Sequence, residues 1–398
     1  MNRISLALVV CLAFAPAAFA QQERSDPAEN ARIHMGPLSA TPTIGLTNFG
    51  IDNNVFNEVT APKRDMTTTV TPKFDAWFRM GRARFSAANR LDLVYFAKYG
   101  SESSVNTRHL FEVEAPLRTI RPFASARITN ARERPGFEID ARARRQEVRV
   151  AVGNDVRVTP KTAAAFEVSR NRIVFDADAL FAGTYLHQVL NRSEEALTFS
   201  VRHAVTPLTT VKMSTDLERN RFDYSGDRDT DAVRVLSAVE LAPSALVSGN
   251  VEFGFRKSQS VNGATTPFSG VVGKADVAYV LLGATRLSFQ VRRDRDYSYD
   301  NRWPYYVSTG MSVTVNQRVA GPWDAQVSVG RQGLAYRATD AFAAQRHDRV
   351  ASFGLGTSYR IGPTTRILFR VDQFDRDSEL PLHGYSGLQS GFSLAYGF

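Results

Sequence analysis

The last eight residues of the chain, GFSLAYGF (391–398), alternate between two kinds of side chain. Successive side chains of an extended strand point to opposite faces, so one face of this stretch is large and apolar. That face carries Phe392, Leu394, Tyr396 and Phe398. The other face carries only glycine, serine and alanine. A soluble sheet would bury the apolar face against a second layer, whereas a membrane barrel would turn it toward lipid.

The same period of two recurs along the whole chain. Apolar and polar residues alternate strictly through 147–152, 197–202, 286–292 and 366–372. Strict alternation indicates β-strands with one apolar and one polar face, and helical spacing does not compete over any long stretch. The sequence therefore predicts an all-β fold.

The connections between these strands are of two kinds. Short turn signals recur, such as MGRA at 80–83 and IGPT at 361–364, and long polar connections lie between them, such as 130–140 and 175–191. Eight short turns alternate with nine long loops, which gives about 18 strands, with 16 as the alternative. Tight turns at one end and long loops at the other are typical of an outer-membrane barrel. We predict a transmembrane, antiparallel, up-and-down β-barrel.

A soluble β-sandwich or propeller is the competing fold, because it also shows alternation and turn signals. Two features weigh against it. About half of every strand stays polar over its whole length, and a sandwich has no reason to place all of its long loops on one side.

In a barrel of this kind the closing stretch forms the last strand, with its apolar face toward lipid. It can end the chain because it pairs with the first strand and leaves no open edge. Alternating apolar residues before a terminal Phe398 resemble the signal read by the bacterial barrel assembly machinery. The resemblance implies a Gram-negative-type outer membrane, with outer-membrane lipid and lipopolysaccharide around the barrel.

The first 20 residues, MNRISLALVVCLAFAPAAFA, have the pattern of a secretory signal peptide: one cation, a short apolar run and a small-residue cleavage site. We therefore divide the chain into a signal peptide (1–20), a polar and flexible periplasmic lead (21–37) and a barrel (38–398). The one cysteine, Cys11, falls in the signal, so neither disulfides nor thiolate–metal sites are expected in the mature chain.

The charge is basic and dominated by arginine. The chain has 49 Lys and Arg against 40 Asp and Glu, a net charge of +9, and only 7 of the bases are lysine. For an exported protein, anionic lipid or an anionic solute is the expected counter-ion, and nucleic acid is not. Alternation places twelve bases toward the lumen: Lys73, Arg90, Arg149, Arg202, Lys212, Arg234, Arg256, Lys274, Arg286, Arg292, Arg366 and Arg370.

Two interpretations of these inward bases stay open. They could line a water-filled passage for anionic or sugar-hydroxyl solutes, since each guanidinium offers five planar donors and stays charged. They could equally pair with inward acids across neighbouring strands and only fill the wall.

One long loop has the composition of a constriction. The stretch 175–191 carries Phe175, Phe181 and Tyr185 among other apolar residues, and could fold into the lumen. The remaining aromatic residues lie mainly near strand ends, as interfacial girdles require. Trp303, Tyr305 and Tyr306 beside another long loop are the best candidates for stacking on a carbohydrate.

The sequence gives no support for catalysis, and we predict that the protein is not an enzyme. Its six histidines are scattered, and none is expected beside serine and asparagine on the lipid face, as an outer-membrane phospholipase would need. There is no nucleophile or phosphate-binding motif. Neither a metal site nor a cofactor is predicted.

Two segments carry a family resemblance. MGPLSATPTIGLTNFGIDNNVFNE (35–58) and RRDRDYSY (292–299) resemble motifs of the putative β-barrel porin 2 family. Such barrels often accompany exopolysaccharide or capsule export systems. The resemblance implies a porin-like or export channel for an anionic or carbohydrate solute. The alternative is a non-conducting structural or receptor barrel that acts through its extracellular loops.

Overall fold

The computed structural model describes residues 27–339, 346–381 and 383–397. Within this part of the chain, eighteen long antiparallel strands form one sheet. They are β1 (Leu38–Asp52), β2 (Asp65–Met80), β3 (Ala83–Phe96), β4 (Ser104–Glu114), β5 (Ile120–Glu133), β6 (Ala143–Arg157), β7 (Thr162–Phe175), β8 (Arg192–Thr206), β9 (Thr209–Phe222), β10 (Thr230–Leu241), β11 (Val247–Ser260), β12 (Phe268–Leu281), β13 (Thr285–Tyr297), β14 (Tyr305–Ala320), β15 (Trp323–Arg337), β16 (His347–Ile361), β17 (Thr365–Ser378) and β18 (Tyr385–Tyr396).

Each strand pairs with its neighbours in the chain, and β18 pairs with β1 to close the sheet into a barrel. The closing pairs run from Ile44 opposite Tyr396 to Asp52 opposite Gln389. The predicted closed antiparallel barrel is confirmed, with the strand number of eighteen rather than sixteen.

The two ends of the barrel differ as the sequence predicts. The connection between β2 and β3 is only Gly81 and Arg82, and Gly81 has φ of 59°. A positive φ at the first central residue is what a two-residue type II′ hairpin turn requires. At the opposite end, β7 and β8 are separated by residues 176–191. By the rule for outer-membrane barrels, the end with short turns faces the periplasm and the end with long loops faces the exterior.

The packing is the reverse of that in a soluble protein. Large apolar side chains on one face of the strands are widely exposed, for example Val152 at 62%, Phe253 at 59% and Met213 at 58%. Polar residues on the other face are buried, for example Asp92 at 4% and Ser258 at 1%. An exposed apolar belt around a polar interior indicates a surface that meets lipid.

A bulge in β1 keeps that pattern intact. The pairing of β1 with β18 shifts between Leu46 and Phe49, where Asn48 has φ of 54°. Without the extra residue, the alternation would turn Phe49 inward, because a shift of one residue moves side chains to the opposite face. With it, Ile44 and Phe49 are both exposed on the outer face, at 50% and 43%.

The remaining elements are short. Ahead of the barrel lie a 3-10 turn (Pro27–Asn30) and a three-residue strand (Ile33–Met35) that pairs with the start of β1. The loop after β7 contains a hairpin of Leu180–Phe181 with Thr184–Tyr185 and the helix α1 (Leu186–Leu190). Two further 3-10 turns are Gly100–Glu102 and Gly226–Arg228. No helix in the described ranges is long and apolar enough to span a bilayer. The predicted signal peptide lies outside the described residues.

The pairing of β1 with β18, here called the closing seam, predicts that two glycines of β1 differ sharply in their tolerance of a side chain. A Cβ atom on Gly50 would lie 1.9 Å from the carbonyl oxygen of Ser390 in β18, so the two backbones would have to separate. A Cβ atom on Gly45, in the same strand, would have its nearest neighbour at 3.8 Å. We expect Gly50→Ala to destabilise the barrel by about 1–3 kcal/mol and Gly45→Ala to have little effect. Urea unfolding in detergent, followed by the heat-modifiable gel shift, measures both variants. Equal stability of the two variants would contradict the seam geometry.

Candidate functional site: the charged lumen and its capped outer mouth

All twelve bases predicted for the lumen lie on the inward face of their strands. The register shows this directly, since exposed apolar residues such as Phe74, Val201 and Phe369 flank them on the outward face. Whether a solute meets these bases stays a prediction.

Eight of the twelve are paired with a carboxylate on the same wall. The N···O distances are 2.9 Å for Arg90–Asp92, 3.0 Å for Arg149–Glu167, 3.0 Å for Arg202–Asp155, 2.9 Å for Arg234–Asp216, 2.6 Å for Arg256–Glu218, 3.6 Å for Arg292–Asp296, 2.8 Å for Arg366–Asp324 and 2.7 Å for Arg370–Asp372. Ladders of alternating charge therefore line much of the interior.

The other four bases form no ion pair with any described residue. They are Lys73, Lys212, Lys274 and Arg286. Lys73, Lys274 and Arg286 are exposed, and Lys212 is half-buried. A base that faces water without a carboxylate keeps its charge available to an anion.

Two of the inward bases that were not predicted complete a continuous feature. Arg108 lies directly opposite Arg90, which itself lies opposite Lys73. Arg127 lies directly opposite Arg149 on the next pair of strands. Strict alternation in β4 and β5 could have found both. We call Lys73, Arg90, Arg108, Arg127 and Arg149 the basic belt.

The basic belt occupies the middle of β2 to β6. Like charges directly opposite one another in a sheet are unfavourable, so each pair needs a counter-charge. Arg108 has two, Asp92 at 2.7 Å and Glu133 at 2.6 Å. Lys73 and Arg127 have no carboxylate partner among the described residues. The belt therefore leaves positive charge uncompensated on one arc of the lumen.

Three loops fill part of the outer mouth and form what we call the cap: residues 134–142, 176–191 and 298–304. Their apolar side chains make a buried cluster with Ile139, Leu186, Val189 and Tyr299. The predicted constriction residues lie in or near it. Phe175 is buried in the cluster, and the ring of Phe181 lies 4.8 Å from that of Tyr299. Tyr185 is 47% exposed instead.

The segment 134–142, here called the bridging loop, reaches across the mouth. Glu138 accepts a hydrogen bond from the hydroxyl of Ser298 at 2.5 Å and one from the backbone N–H of Tyr299 at 3.2 Å. Asp140 accepts one from Arg376 of β17 at 2.5 Å. Because β5 lies about half a turn of the barrel from β13 and β14, the bonds to Ser298 and Tyr299 connect opposite walls.

Buried arginines outside the cap form hydrogen bonds with the cap loops. Arg376 also binds Asp348 at 2.6 Å, and Arg346 binds the same carboxylate at 2.8 Å. Arg228 donates to the carbonyl oxygens of Val189 at 2.8 Å and of Pro304 at 2.7 Å. One arginine thus joins two of the three cap loops.

The three aromatic residues predicted as candidates for stacking on a carbohydrate are buried. Trp303, Tyr305 and Tyr306 are 6%, 2% and 7% exposed, because Trp303 belongs to a cap loop and all three pack against side chains at the upper ends of the strands. A side chain packed on both faces cannot receive a sugar ring. The reason is tertiary: the sequence shows three aromatic residues beside a loop, but not that the loop folds inward over them.

One histidine lies beside an asparagine on the lipid face, whereas the sequence prediction concerned a histidine beside both serine and asparagine. His109 lies in the middle of β4 on the outward face, with its Nδ1 atom 2.8 Å from Oδ1 of Asn89 in β3. The pair depends on the β3–β4 register, which the sequence alone does not give. The next outward position on β4 toward the exterior holds Thr107 rather than serine. Among the described residues no group of His, Cys, Asp and Glu is arranged to hold a metal ion.

The residues predicted as the assembly signal lie on the outward face of β18. Phe392, Leu394 and Tyr396 are 51%, 38% and 55% exposed, and the ring of Phe392 lies 4.9 Å from that of Phe369. Phe398 lies outside the described residues.

A closed antiparallel cylinder of eighteen strands, apolar outside and charged inside, defines a porin-like barrel of the outer membrane. The chain belongs to the family described as "Putative beta-barrel porin 2", whose model matches residues 26–396. The family resemblance seen in the two sequence motifs is thereby confirmed. No curated protein matches the chain.

Several solved structures are similar to this barrel. OpdK of Pseudomonas aeruginosa, crystallised with vanillate, is 9% identical with a TM-score of 0.49, covering 90% of this chain and 98% of that one. OccAB3 of Acinetobacter baumannii is 8% identical with a TM-score of 0.47, covering 90% and 99%. The FrpB iron transporter of Neisseria meningitidis is 11% identical with a TM-score of 0.46, covering 90% and 67%.

The buried carboxyl of the bridging loop predicts a pH-dependent cap. Burial raises the pKa of Glu138 to about 7 from its usual 4.5, against the opposing effect of Arg346 and Arg228. A pKa raised in the docked state means that docking takes up a proton. Docking is therefore firmest at low pH, weakens as the pH rises from 4.5 to 7, and is weakest above 7. The docking equilibrium should change by about 300-fold at most.

A nitroxide on Phe137→Cys measures this directly, since Phe137 is 50% exposed on the bridging loop. We expect its mobility to rise between pH 5 and 8, and Glu138→Gln to abolish the rise. His383 near Phe181 also titrates, and burial lowers its pKa. His383→Gln is therefore the control and should leave the rise intact. A rise that persists in Glu138→Gln would show that another group controls the loop.

Proposed function

We propose that this barrel is a channel for anionic or carbohydrate solutes across the outer membrane. The observation that carries the proposal is the basic belt, in which Lys73 and Arg127 face the lumen without a carboxylate partner among the described residues. A water-filled cylinder of eighteen strands is wide enough to leave a passage unless something folds into it.

The belt would act on the solute by charge and by hydrogen bonding. Lys73 and Arg127 lie near the middle of β2 and β5, so a solute passes them after leaving either mouth. Fixed cations on a low-dielectric wall raise the local concentration of anions. The guanidinium groups of Arg90, Arg108 and Arg149 add planar donors that suit carboxylate and hydroxyl oxygens.

The cap would set the size of what passes. Phe175 and Phe181 pack into its apolar cluster, and the bridging loop crosses the mouth to Ser298 and Arg376. A small anion needs only the gaps beside these loops, whereas a polymer needs the cap to move aside. The diameter of a passage and the groups that line it determine which solutes pass.

A role in exopolysaccharide secretion is the more specific form of the proposal. Its support is the family, whose members often accompany such export systems, together with the two uncompensated bases of the basic belt. An acidic polysaccharide would find its counter-charges on the basic belt. Because Trp303, Tyr305 and Tyr306 are buried, we assign recognition of the polymer to charge and hydrogen bonds rather than to aromatic stacking.

Ion selectivity tests the belt. We expect the double variant Lys73→Gln/Arg127→Gln to lower the anion-to-cation permeability ratio by about two- to fivefold, because it removes the two uncompensated charges of the basic belt. Reversal potentials in planar bilayers under a salt gradient give the ratio. Arg293→Gln and Lys257→Gln together remove the same charge from the outward face and should leave the ratio unchanged. Equal ratios for the wild type and the belt variant would show that the belt does not meet the permeating ions.

Single-channel conductance tests the cap. The backbone N–H of Phe175 donates to the side-chain oxygen of Asn191 at 2.7 Å and so fixes the base of the loop. Replacing residues 177–189 with a short Gly-Ser linker keeps that base while removing the loop. We expect conductance to rise by about twofold or more. Zero conductance in both the wild type and the shortened protein would favour the alternative, a non-conducting structural or receptor barrel.

A further inference from the structure

We infer that a groove on the outward face of β2 to β6 binds an acyl chain of a phosphorylated glycolipid of the outer leaflet, the lipid A part of lipopolysaccharide. The groove has a volume of about 830 Å³ and lies at the end of the strands near the long loops. Its lining comes from strands whose outward side chains meet lipid.

The groove exists because strands β4 and β5 separate near their outer ends. β4 and β5 pair only from Thr107 opposite Asn130 downward, although β4 begins at Ser104 and β5 continues to Glu133. Beyond that point the side chain of Asn106 fills the gap, and its oxygen accepts a hydrogen bond from the N–H of Arg132 at 2.8 Å. The separated strands leave a depression on the outer surface.

The floor of the depression is sealed from the lumen. Phe96 and Ala131 are 3% and 2% exposed, and the guanidinium of Arg142 lies 4.4 Å from the ring of Phe96 on the inner side. The groove is therefore a blind pocket that opens toward lipid rather than a lateral gate into the channel.

The lining suits an acylated molecule. Val70, Leu93, Tyr95 and Val105 provide apolar walls, and Val105 is 62% exposed. Thr68 and Ser104 line the groove, and the hydroxyl oxygen of each is buried without a hydrogen-bond partner among the described residues. Thr68 lies opposite Tyr95 on the outward face. An ester or amide group at the head of an acyl chain would offer its hydroxyl an acceptor, which buried polar atoms normally have.

The arginine residues at the rim of the groove favour a lipid with an anionic head group. Arg132 and Arg144 lie directly opposite each other across β5 and β6 on the outward face. Arg132 pairs with Glu102 at 3.1 Å, a carboxylate that Arg142 on the inner side also approaches, and Arg144 lies 3.7 Å from Asp176. Toward the periplasmic end, the outward positions of β2 to β6 hold no Asp, Glu, Lys or Arg. Bases above an apolar wall match a phosphate above its acyl chains.

Native mass spectrometry of the full-length protein in detergent, with lipid A as the probe, tests the inference. We expect lipid A to stay bound to the wild type, and Val105→Trp, which fills the groove, to lower the bound fraction by about tenfold. Val271→Trp is the matched control, because Val271 is outward on β12 near the same end and 60% exposed. It should bind lipid A like the wild type. The gel shift on heating reports folding, and Leu93→Trp fills the same groove should Val105→Trp not fold.

The rim has its own test. Arg132→Gln/Arg144→Gln should weaken lipid A several-fold but leave binding of lipid A without its phosphates unchanged. Four results would overturn the inference: undiminished binding in both groove-filling variants, equal loss in Val271→Trp, equal retention of phosphatidylglycerol by the wild type, or a second copy of the chain bound in place of lipid.

Discussion

Inside a bilayer no water is available to hydrogen-bond a free backbone N–H or C=O group, so a sheet that crosses it must have no open edge. In this molecule the constraint falls on one seam, between β1 and β18. Two local features of the seam follow from it. The bulge at Asn48 keeps Ile44 and Phe49 on the lipid side, and Gly50 opposite Gly391 lets the two backbones approach closely.

Closure also decides where the charges go. Once the outer face is apolar, the charged side chains of the spanning strands must point inward or lie near the outer rim, and inward charges in a confined space must largely neutralise one another. The ladders such as Arg234–Asp216 and Arg370–Asp372 satisfy that requirement. They are therefore weak indicators of function. Inward bases without a carboxylate partner, such as Lys73 and Arg127, are more informative, because the fold does not need them unpaired.

The sequence predicts the parts of this structure that depend on local rules. Alternation fixes which face of each strand is apolar, and turn signals such as Gly81 fix the strand number, so the barrel and the inward bases follow. The cap does not, because Glu138 meets Ser298 only through folding of loops 160 residues apart. The Asn89–His109 pair and the run of Lys73, Arg90 and Arg108 need the cross-strand register as well, which alternation leaves open.

The cap and the barrel obey opposite packing rules. Among the cap loops, Leu186, Val189 and Ile139 are buried together with polar residues around them, as in a small soluble core, whereas in the strands apolar residues face outward. The apolar cap residues have no lipid to face, so the only place they can be buried is the mouth of the barrel. Glu138 is the carboxyl enclosed by that small core, and a buried carboxylate is costly. We therefore expect the bridging loop to be held less firmly when Glu138 is ionised.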